Sequence, residues 1–194
     1  MQIIISWSNF IFFQKKYSLK LVIDIGNTNT GLALFKGKNL FATSKIDECI
    51  LKNVADFVAN NVISASIISS VKEINSEIEK ISDYYNALIF SHNLVIPVYN
   101  KYKTPGTLGM DRLAAVVGAH FLHPKRDILV IDAGTCLTID YLNAKGEYLG
   151  GKISPGIEMR YKALHTFTDK LPLVSKEKHN PIIGKDTITS ILSG

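Results

Sequence analysis

The sequence predicts an α/β protein built from two related halves, and two observations support this fold class. The segment LVIDIGNTNT at residues 21–30 returns as LVIDAGTCLT at residues 129–138. Hydrophobic patterns of the strand and helix types alternate along the chain after an initial run of strands, which is typical of α/β layers. With 194 residues, 46% of them hydrophobic, the chain is long enough to bury a packed core.

The first half opens with three predicted strands at 20–25, 31–35 and 39–45. The glycine-containing turn Gly37-Lys38-Asn39 joins the last two as a hairpin. The elements that follow are an amphipathic helix at 47–61, a buried strand at 62–70, a helix at 73–85, and short apolar segments at 87–90 and 94–99.

The second half repeats this opening. A loop rich in turn formers at 100–109 leads into a helix at 111–123, which must end before Pro124. The elements after it are strands at 127–134, 136–142 and 147–153, with a hairpin turn at 143–146 and a helix beginning near Pro155. In each half the first strand therefore ends in Asp-x-Gly, at Asp24 and at Asp132.

Charge and cysteine content exclude several classes of protein. The net charge is +5, but three lysines and no acid lie in residues 1–20, which leaves +2 for the rest and does not predict a nucleic-acid partner. Cys49 and Cys136 have no spacing typical of a zinc site or a disulfide framework. The apolar run from Ile3 to Phe13 is too short for a membrane helix, which needs about 20 apolar residues. We expect an N-terminal extension there, and no membrane partner.

The repeated motif suits phosphate binding. Glycine permits close approach of a phosphate, backbone amides and threonine hydroxyls donate to its oxygens, and an aspartate can hold the accompanying metal. Gly26 and Gly134 taken singly would be explained as hairpin turns. Both motifs, however, also carry an aspartate and a threonine at matching positions. Two such corners would hold a polyphosphate from both sides.

The chain contains neither a Walker-type phosphate loop nor a glycine-rich dinucleotide fingerprint after a strand. That leaves the duplicated ribonuclease-H-like architecture shared by actin, sugar kinases and heat-shock chaperone ATPases. Five motifs in series then resemble the type III pantothenate kinases, from about Leu19 to the end. They are DIGNTNTG at 24–31, YKTPGTLGMDR at 102–112, DAGT at 132–135, GGKISPG at 150–156 and IGKDT at 183–187.

This resemblance implies a fold with a mixed five-stranded sheet in each half. It divides the chain into an extension at 1–18, a first half at 19–109 and a second half at 110–194. It also implies ATP-dependent phosphorylation of pantothenate to 4'-phosphopantothenate, the first step of coenzyme A biosynthesis, by a cytoplasmic homodimer. The family pattern continues for some tens of residues past Gly194, so we expect an incomplete second half and a chain that is a fragment or a prematurely ended reading frame.

Asp111, at the start of a predicted helix, is the candidate general base; from the residues alone a helix N-cap or first-turn acid is an equal explanation. Arg112 is suited to a carboxylate such as that of pantothenate, or to a surface ion pair. The resemblance implies a catalytic Asp111 and assigns a set of residues to the substrate. Those residues are Tyr102, Gly109, Met110, Asp111, Arg112 and Thr187, although Tyr102 alone would be a loop residue and Thr187 alone a helix N-cap.

For the nucleotide, the resemblance assigns one further set of residues to ATP. They are Asp24, Ile25, Gly26, Asn27, Thr28, Asn29, Thr30, Gly31 and Thr135. Asp24 is expected to hold or orient magnesium. Asp132 is expected to bind potassium or ammonium, whereas the residues alone favour a second magnesium carboxylate at that position.

Two alternatives remain open at this point. One is a non-catalytic, nucleotide-binding relative that regulates transcription, since some members of this family are described as transcriptional activators. The other is a different kinase of the same superfamily, such as a sugar or acetate kinase, which the Tyr102 and GMDR context disfavours.

Overall fold

The computed structural model describes residues 18–194 and confirms an α/β fold with two mixed sheets. The predicted extension at 1–18 lies outside the described residues except for Ser18, which begins the first strand. The chain divides into two compact units. The described part of the first comprises residues 18–23, 30–68 and 74–89, and the second comprises 24–29, 69–73 and 90–194.

The first sheet has five strands in the order β3-β2-β1-β4-β5. Its strands are β1 (Ser18–Ile25), β2 (Thr30–Lys36), β3 (Asn39–Ile46), β4 (Val62–Ser70) and β5 (Leu88–Ile89). Strands β2 and β3 are antiparallel and β4 and β5 are parallel, so the sheet is mixed as predicted. The hairpin between β2 and β3 turns on Gly37, whose φ of 62° lies in the left-handed region that favours glycine.

Alternating apolar residues on β1 form the centre of the first unit. Leu19, Leu21 and Ile23 are buried, while Lys20 and Asp24 are exposed, which is the period of two expected of a strand. Helices α1 (Leu51–Val58) and α2 (Ser76–Tyr85) contact each other. Helix α2 starts later than predicted because the side chain of Asn75 accepts a hydrogen bond from the Ile78 amide and so caps the helix.

The second sheet has the order β6-β9-β8-β7. Its strands are β6 (Tyr99–Asn100), β7 (Ile128–Ala133), β8 (Cys136–Leu142) and β9 (Glu147–Pro155). Among the described residues it contains four strands, one fewer than the family resemblance implies for a half of this fold. After β9 the chain forms helix α4 (Ile157–Thr166), a long irregular segment and helix α5 (Thr187–Ser193).

Helix α3 (Met110–Leu122) packs against β7 and β8 and buries Leu113 and Val116. A smaller apolar cluster joins α4 to α5 through Tyr161, Ile191 and Leu192. Within residues 18–194, no helix has the length and hydropathy needed to cross a bilayer.

We predict that Leu21→Ala lowers the free energy of unfolding by about 2–5 kcal/mol, because it leaves a cavity in the centre of the first unit. Leu21 is 0% exposed. The matched control is Leu40→Ala on β3, where the side chain is 58% exposed and the change should stay within about 0.5 kcal/mol. Urea denaturation of both variants measures the difference, and equal losses would contradict the assigned core.

Candidate active site

The first glycine corner follows β1. The Gly26 amide donates a hydrogen bond to the Asn29 carbonyl at 3.1 Å, which closes a tight turn. A Cβ atom on residue 26 would lie 3.1 Å from that same oxygen, so a side chain would have to displace the backbone. The side chains of Asn27, Thr28 and Asn29 are exposed around this turn. The turn therefore presents amides and a hydroxyl to solvent at the carboxyl end of a buried strand.

The second corner follows β7 in the same way. The Gly134 amide donates to the Cys136 carbonyl at 2.9 Å, and the Gly156 amide donates to the Thr135 carbonyl at 3.1 Å. A Cβ atom on Gly156 would collide with the carbonyl oxygens of Gly134 and Thr135. The last glycine of the GGKISPG motif thus lets the end of β9 pack directly on this corner and fix its backbone.

The two corners meet at their threonines. The Oγ1 atoms of Thr28 and Thr135 lie 3.1 Å apart, at hydrogen-bond distance, although 107 positions separate the residues in the chain. Both belong to the second compact unit, which includes residues 24–29. The duplicated motif therefore forms one continuous set of amides and hydroxyls rather than two separate turns.

Three carboxylates lie around these corners and interact electrostatically. Asp24 keeps contact with solvent, yet surrounding protein atoms exclude enough water to raise the pKa of its carboxyl above the ordinary 3.8. The nearby charges of Asp111 and, more weakly, Asp132 raise this pKa further. The Ser69 hydroxyl is close enough to oppose the effect. Negative charge is therefore concentrated beside groups suited to phosphate.

These carboxylates do not form a complete metal site by themselves. In the described part of the chain, no group of three or more His, Cys, Asp or Glu side chains converges closely enough to hold an ion. Magnesium commonly uses only one or two protein carboxylates, with phosphate oxygens and water as its other ligands. The oxygen donors present around Asp24 fit such an ion, provided that a phosphate completes its coordination.

Asp111 occupies the first turn of α3, and one of its oxygens is already used. Its Oδ1 atom accepts a hydrogen bond from the Arg112 amide at 2.8 Å. Gly109 is the N-cap residue, and a Cβ atom there would collide with Oδ1. Asp111 thus satisfies a helix N-terminus while Oδ2 stays available for a proton, so the two explanations offered by the sequence are compatible.

Arg112 is buried rather than at the surface, where an ordinary ion pair would lie. It is 6% exposed, and its Nε and Nη2 atoms donate to Asp140 on β8. The ring of Tyr102 lies 5.7 Å from the centre of the guanidinium group. The hydrogen bonds to Asp140 raise the pKa of Arg112, so the group is always charged.

Three other predicted residues belong to other elements of the fold. Thr30 and Gly31 are on β2 in the first unit, and Thr30 is buried. Thr187 is the first residue of α5, whose N-cap is Asp186 in a capping box with Thr189. Within residues 18–194, no hydrogen bond joins Thr187 to Tyr102 or to residues 109–112.

The sequence analysis missed three residues near the site. Ser69, Asp140 and Tyr148 are all buried. The Ser69 hydroxyl lies near the Asp24 carboxyl group but forms no hydrogen bond of standard geometry among the described residues. Asp140 carried one usable signal, because the period of two on β8 places it on the same face as the buried Thr138 and Leu142. A carboxylate at such a position requires a buried partner.

We predict that Asp24→Asn raises the melting temperature at pH 7 in buffer that contains a metal chelator. The raised pKa means that the stability contributed by Asp24 is present below pH 3.8 and is lost as the pH rises through the folded-state pKa. Asparagine cannot ionise, so the variant avoids that loss. The difference from the unmodified chain should shrink below pH 3.8.

The control for this prediction is Asp169→Asn, which alters an exposed carboxylate. Differential scanning calorimetry between pH 3 and pH 8 compares the three proteins. A melting temperature for Asp24→Asn below that of the unmodified chain at pH 7 would contradict the electrostatic interpretation.

Comparison with known proteins is consistent with this geometry. The family model for type III pantothenate kinase matches residues 20–194. A type III pantothenate kinase from Phocaeicola vulgatus is 46% identical over 180 residues, which cover 91% of this chain and 74% of the relative. One from Bacteroides fragilis is 41% identical over 180 residues, with 91% and 73% covered. The chain thus spans about three quarters of the length of these relatives.

A solved structure from Campylobacter jejuni, described as a conserved member of the Baf family of transcriptional activators, gives a TM-score of 0.53. The match covers 89% of this chain and 72% of that one at 20% identity, and at such identity it supports the fold alone. The sequence matches extend through both glycine corners and through the segment that contains Asp111. They show that this chain belongs to the type III pantothenate kinase family.

Proposed function

We propose that this chain transfers the γ-phosphoryl group of ATP to the primary hydroxyl of pantothenate, giving 4'-phosphopantothenate for coenzyme A biosynthesis. The observation that carries the proposal is the contact between Thr28 and Thr135, which joins the two glycine corners beside three aspartates. Family membership supports the substrate. It also disfavours a purely regulatory role, since the two relatives described above are named as kinases.

In this proposal the two corners bind the triphosphate. Amides of the turn at residues 27–29 and the hydroxyls of Thr28 and Thr135 donate to its oxygens, and the tight turn on Gly26 exposes this backbone to the phosphate. Thr30 and Gly31 complete the nucleotide segment, as the sequence predicts. Magnesium, held or oriented by Asp24, would neutralise charge on the phosphate oxygens.

Asp111 is the proposed general base. Its free oxygen takes the proton of the pantothenate hydroxyl while the hydroxyl oxygen bonds to the γ-phosphorus. The bond from that phosphorus to the oxygen that bridges it to the β-phosphorus breaks, and ADP leaves with the bonding electrons. The contact of Oδ1 with the Arg112 amide keeps the carboxylate in one orientation during this step.

Pantothenate is proposed to bind beside the start of α3. Gly109 and Met110 line the site, Arg112 and Tyr102 contact its carboxylate end, and Thr187 contributes a hydroxyl. Potassium or ammonium is proposed at Asp132, on the exposed end of β7. A homodimer in the cytoplasm remains part of the proposal, on the basis of family resemblance.

We predict that Asp111→Asn lowers kcat for ATP-dependent phosphorylation of pantothenate by about 10²- to 10⁴-fold, the usual effect of losing a general base. Asparagine keeps the shape of the side chain but cannot accept the proton. The control is Asp169→Asn, whose exposed side chain lies outside the site. Release of ADP in a coupled assay measures the rates, and turnover that survives Asp111→Asn would exclude Asp111 as the base.

We also predict that turnover depends on a monovalent cation through Asp132. Replacing potassium by tetramethylammonium should slow the unmodified chain. Asp132→Asn should raise the potassium concentration needed for half-maximal rate by about 10- to 100-fold, the range typical of a weakened metal shell. If the variant keeps the potassium dependence of the unmodified chain, the cation binds elsewhere.

A further inference from the structure

A buried ion pair ties the start of α3 to β8. Arg112 donates from Nε to both oxygens of Asp140, at 3.2 Å and 3.1 Å, and from Nη2 to Oδ1 at 2.5 Å. Asp140 is 1% exposed, so neither charge is appreciably solvated. Asp140 therefore uses the Nε–H and one Nη2–H of the guanidinium group, and these bonds do not involve Nη1 or the second Nη2–H.

Two tyrosines extend this pair toward the surface. The Tyr148 hydroxyl donates to Asp140 Oδ1 at 2.7 Å, and burial followed by this hydrogen bond raises the pKa of Tyr148. The ring of Tyr102 stacks on that of Tyr148, with centroids 6.1 Å apart and planes 9° from parallel. Tyr102 also lies beside the guanidinium group of Arg112. Both candidates for the substrate site are therefore held in place, Arg112 by its ion pair with Asp140 and Tyr102 by its stacking on Tyr148.

The first two glycines of GGKISPG provide the space for this arrangement. Gly150 has a φ of 108°, and a Cβ atom there would lie 3.4 Å from the Tyr102 ring. Gly151 pairs with Asp140 across the sheet, and a Cβ atom there would collide with the Asp140 carboxylate and the Ile139 carbonyl. A side chain at Gly151 would displace a member of the network, whereas one at Gly150 would be strained by the positive φ.

We propose that Asp140, supported by Tyr148, is a positioning residue that holds Arg112 and so sets the preference of this enzyme for an acceptor with a carboxylate. The inference rests on the function proposed above. Asp140 occupies the Nε–Nη2 edge of the guanidinium group, so the acceptor carboxylate is bound through the Nη1–Nη2 edge, and the ion pair fixes the orientation of that edge.

The test compares Asp140→Asn with the unmodified chain on two acceptors, pantothenate and pantothenyl alcohol, whose carboxylate is replaced by a hydroxymethyl group. Loss of the charged hydrogen bonds should release the guanidinium group and raise KM for pantothenate by about tenfold or more. The KM for ATP should change by less than about twofold, and the KM for pantothenyl alcohol should change little. The preference for pantothenate would then shrink.

A merely structural role predicts a different result, in which the melting temperature and kcat fall while the ratio of the two acceptors stays constant. Such a constant ratio overturns the proposal. Adding Asp140→Asn to Arg112→Gln should raise KM no further, because Asp140 acts through Arg112; additive effects would also overturn it. Asp127→Asn is the matched control, since that carboxylate caps the hairpin turn of the same sheet at Ala144.

Tyr148→Phe decides the question if Asp140→Asn does not fold. It keeps the ion pair and the stacked ring but removes one hydrogen bond, so KM for pantothenate should rise by about threefold with kcat retained. An unchanged acceptor ratio in this variant overturns the proposal. Failure of the proposed function is distinguishable, because the unmodified chain would then phosphorylate neither acceptor.

Discussion

The buried pair between Arg112 and Asp140 is the interaction on which the geometry of the second unit depends. Its two residues join the first turn of α3 to the middle of β8, and Asp111 precedes Arg112 directly. A buried charge pair is costly to form, and losing one partner leaves an uncompensated charge, typically at 3–5 kcal/mol. The pair therefore restricts the position of α3 on the sheet, and with it the position of the neighbouring Asp111.

Negative charge is the second constraint. The pKa of Asp24 is raised by desolvation and by Asp111 and Asp132, so the surroundings of this carboxyl group oppose its ionisation. In the proposed function, a cation and the donors of the two glycine corners would relieve that repulsion. A metal-bound triphosphate would then stabilise the folded chain as well as serve as substrate. At Asp24, the negative charge that the proposed function requires is thus the charge that lowers the stability of the folded chain.

Local rules account for most of the fold that was predicted. Strand periodicity, the Gly37 hairpin and the cap at Asn75 depend on neighbours a few positions away, and the elements fell within a few residues of their predicted bounds. The duplicated motif was likewise visible as a repeated string. The five-stranded second sheet was implied by the family resemblance rather than by a local pattern, and among the described residues this sheet has four strands.

The sequence by itself determined the order of elements, the two Asp-x-Gly corners and the family, since each is written in short runs of residues. Only the tertiary structure decided that Thr28 meets Thr135 and that Arg112 is committed to Asp140. Thr28 and Thr135 are 107 positions apart in the chain, and Arg112 and Asp140 are 28 positions apart. They depend on strand register and on the packing of α3, which no local pattern specifies.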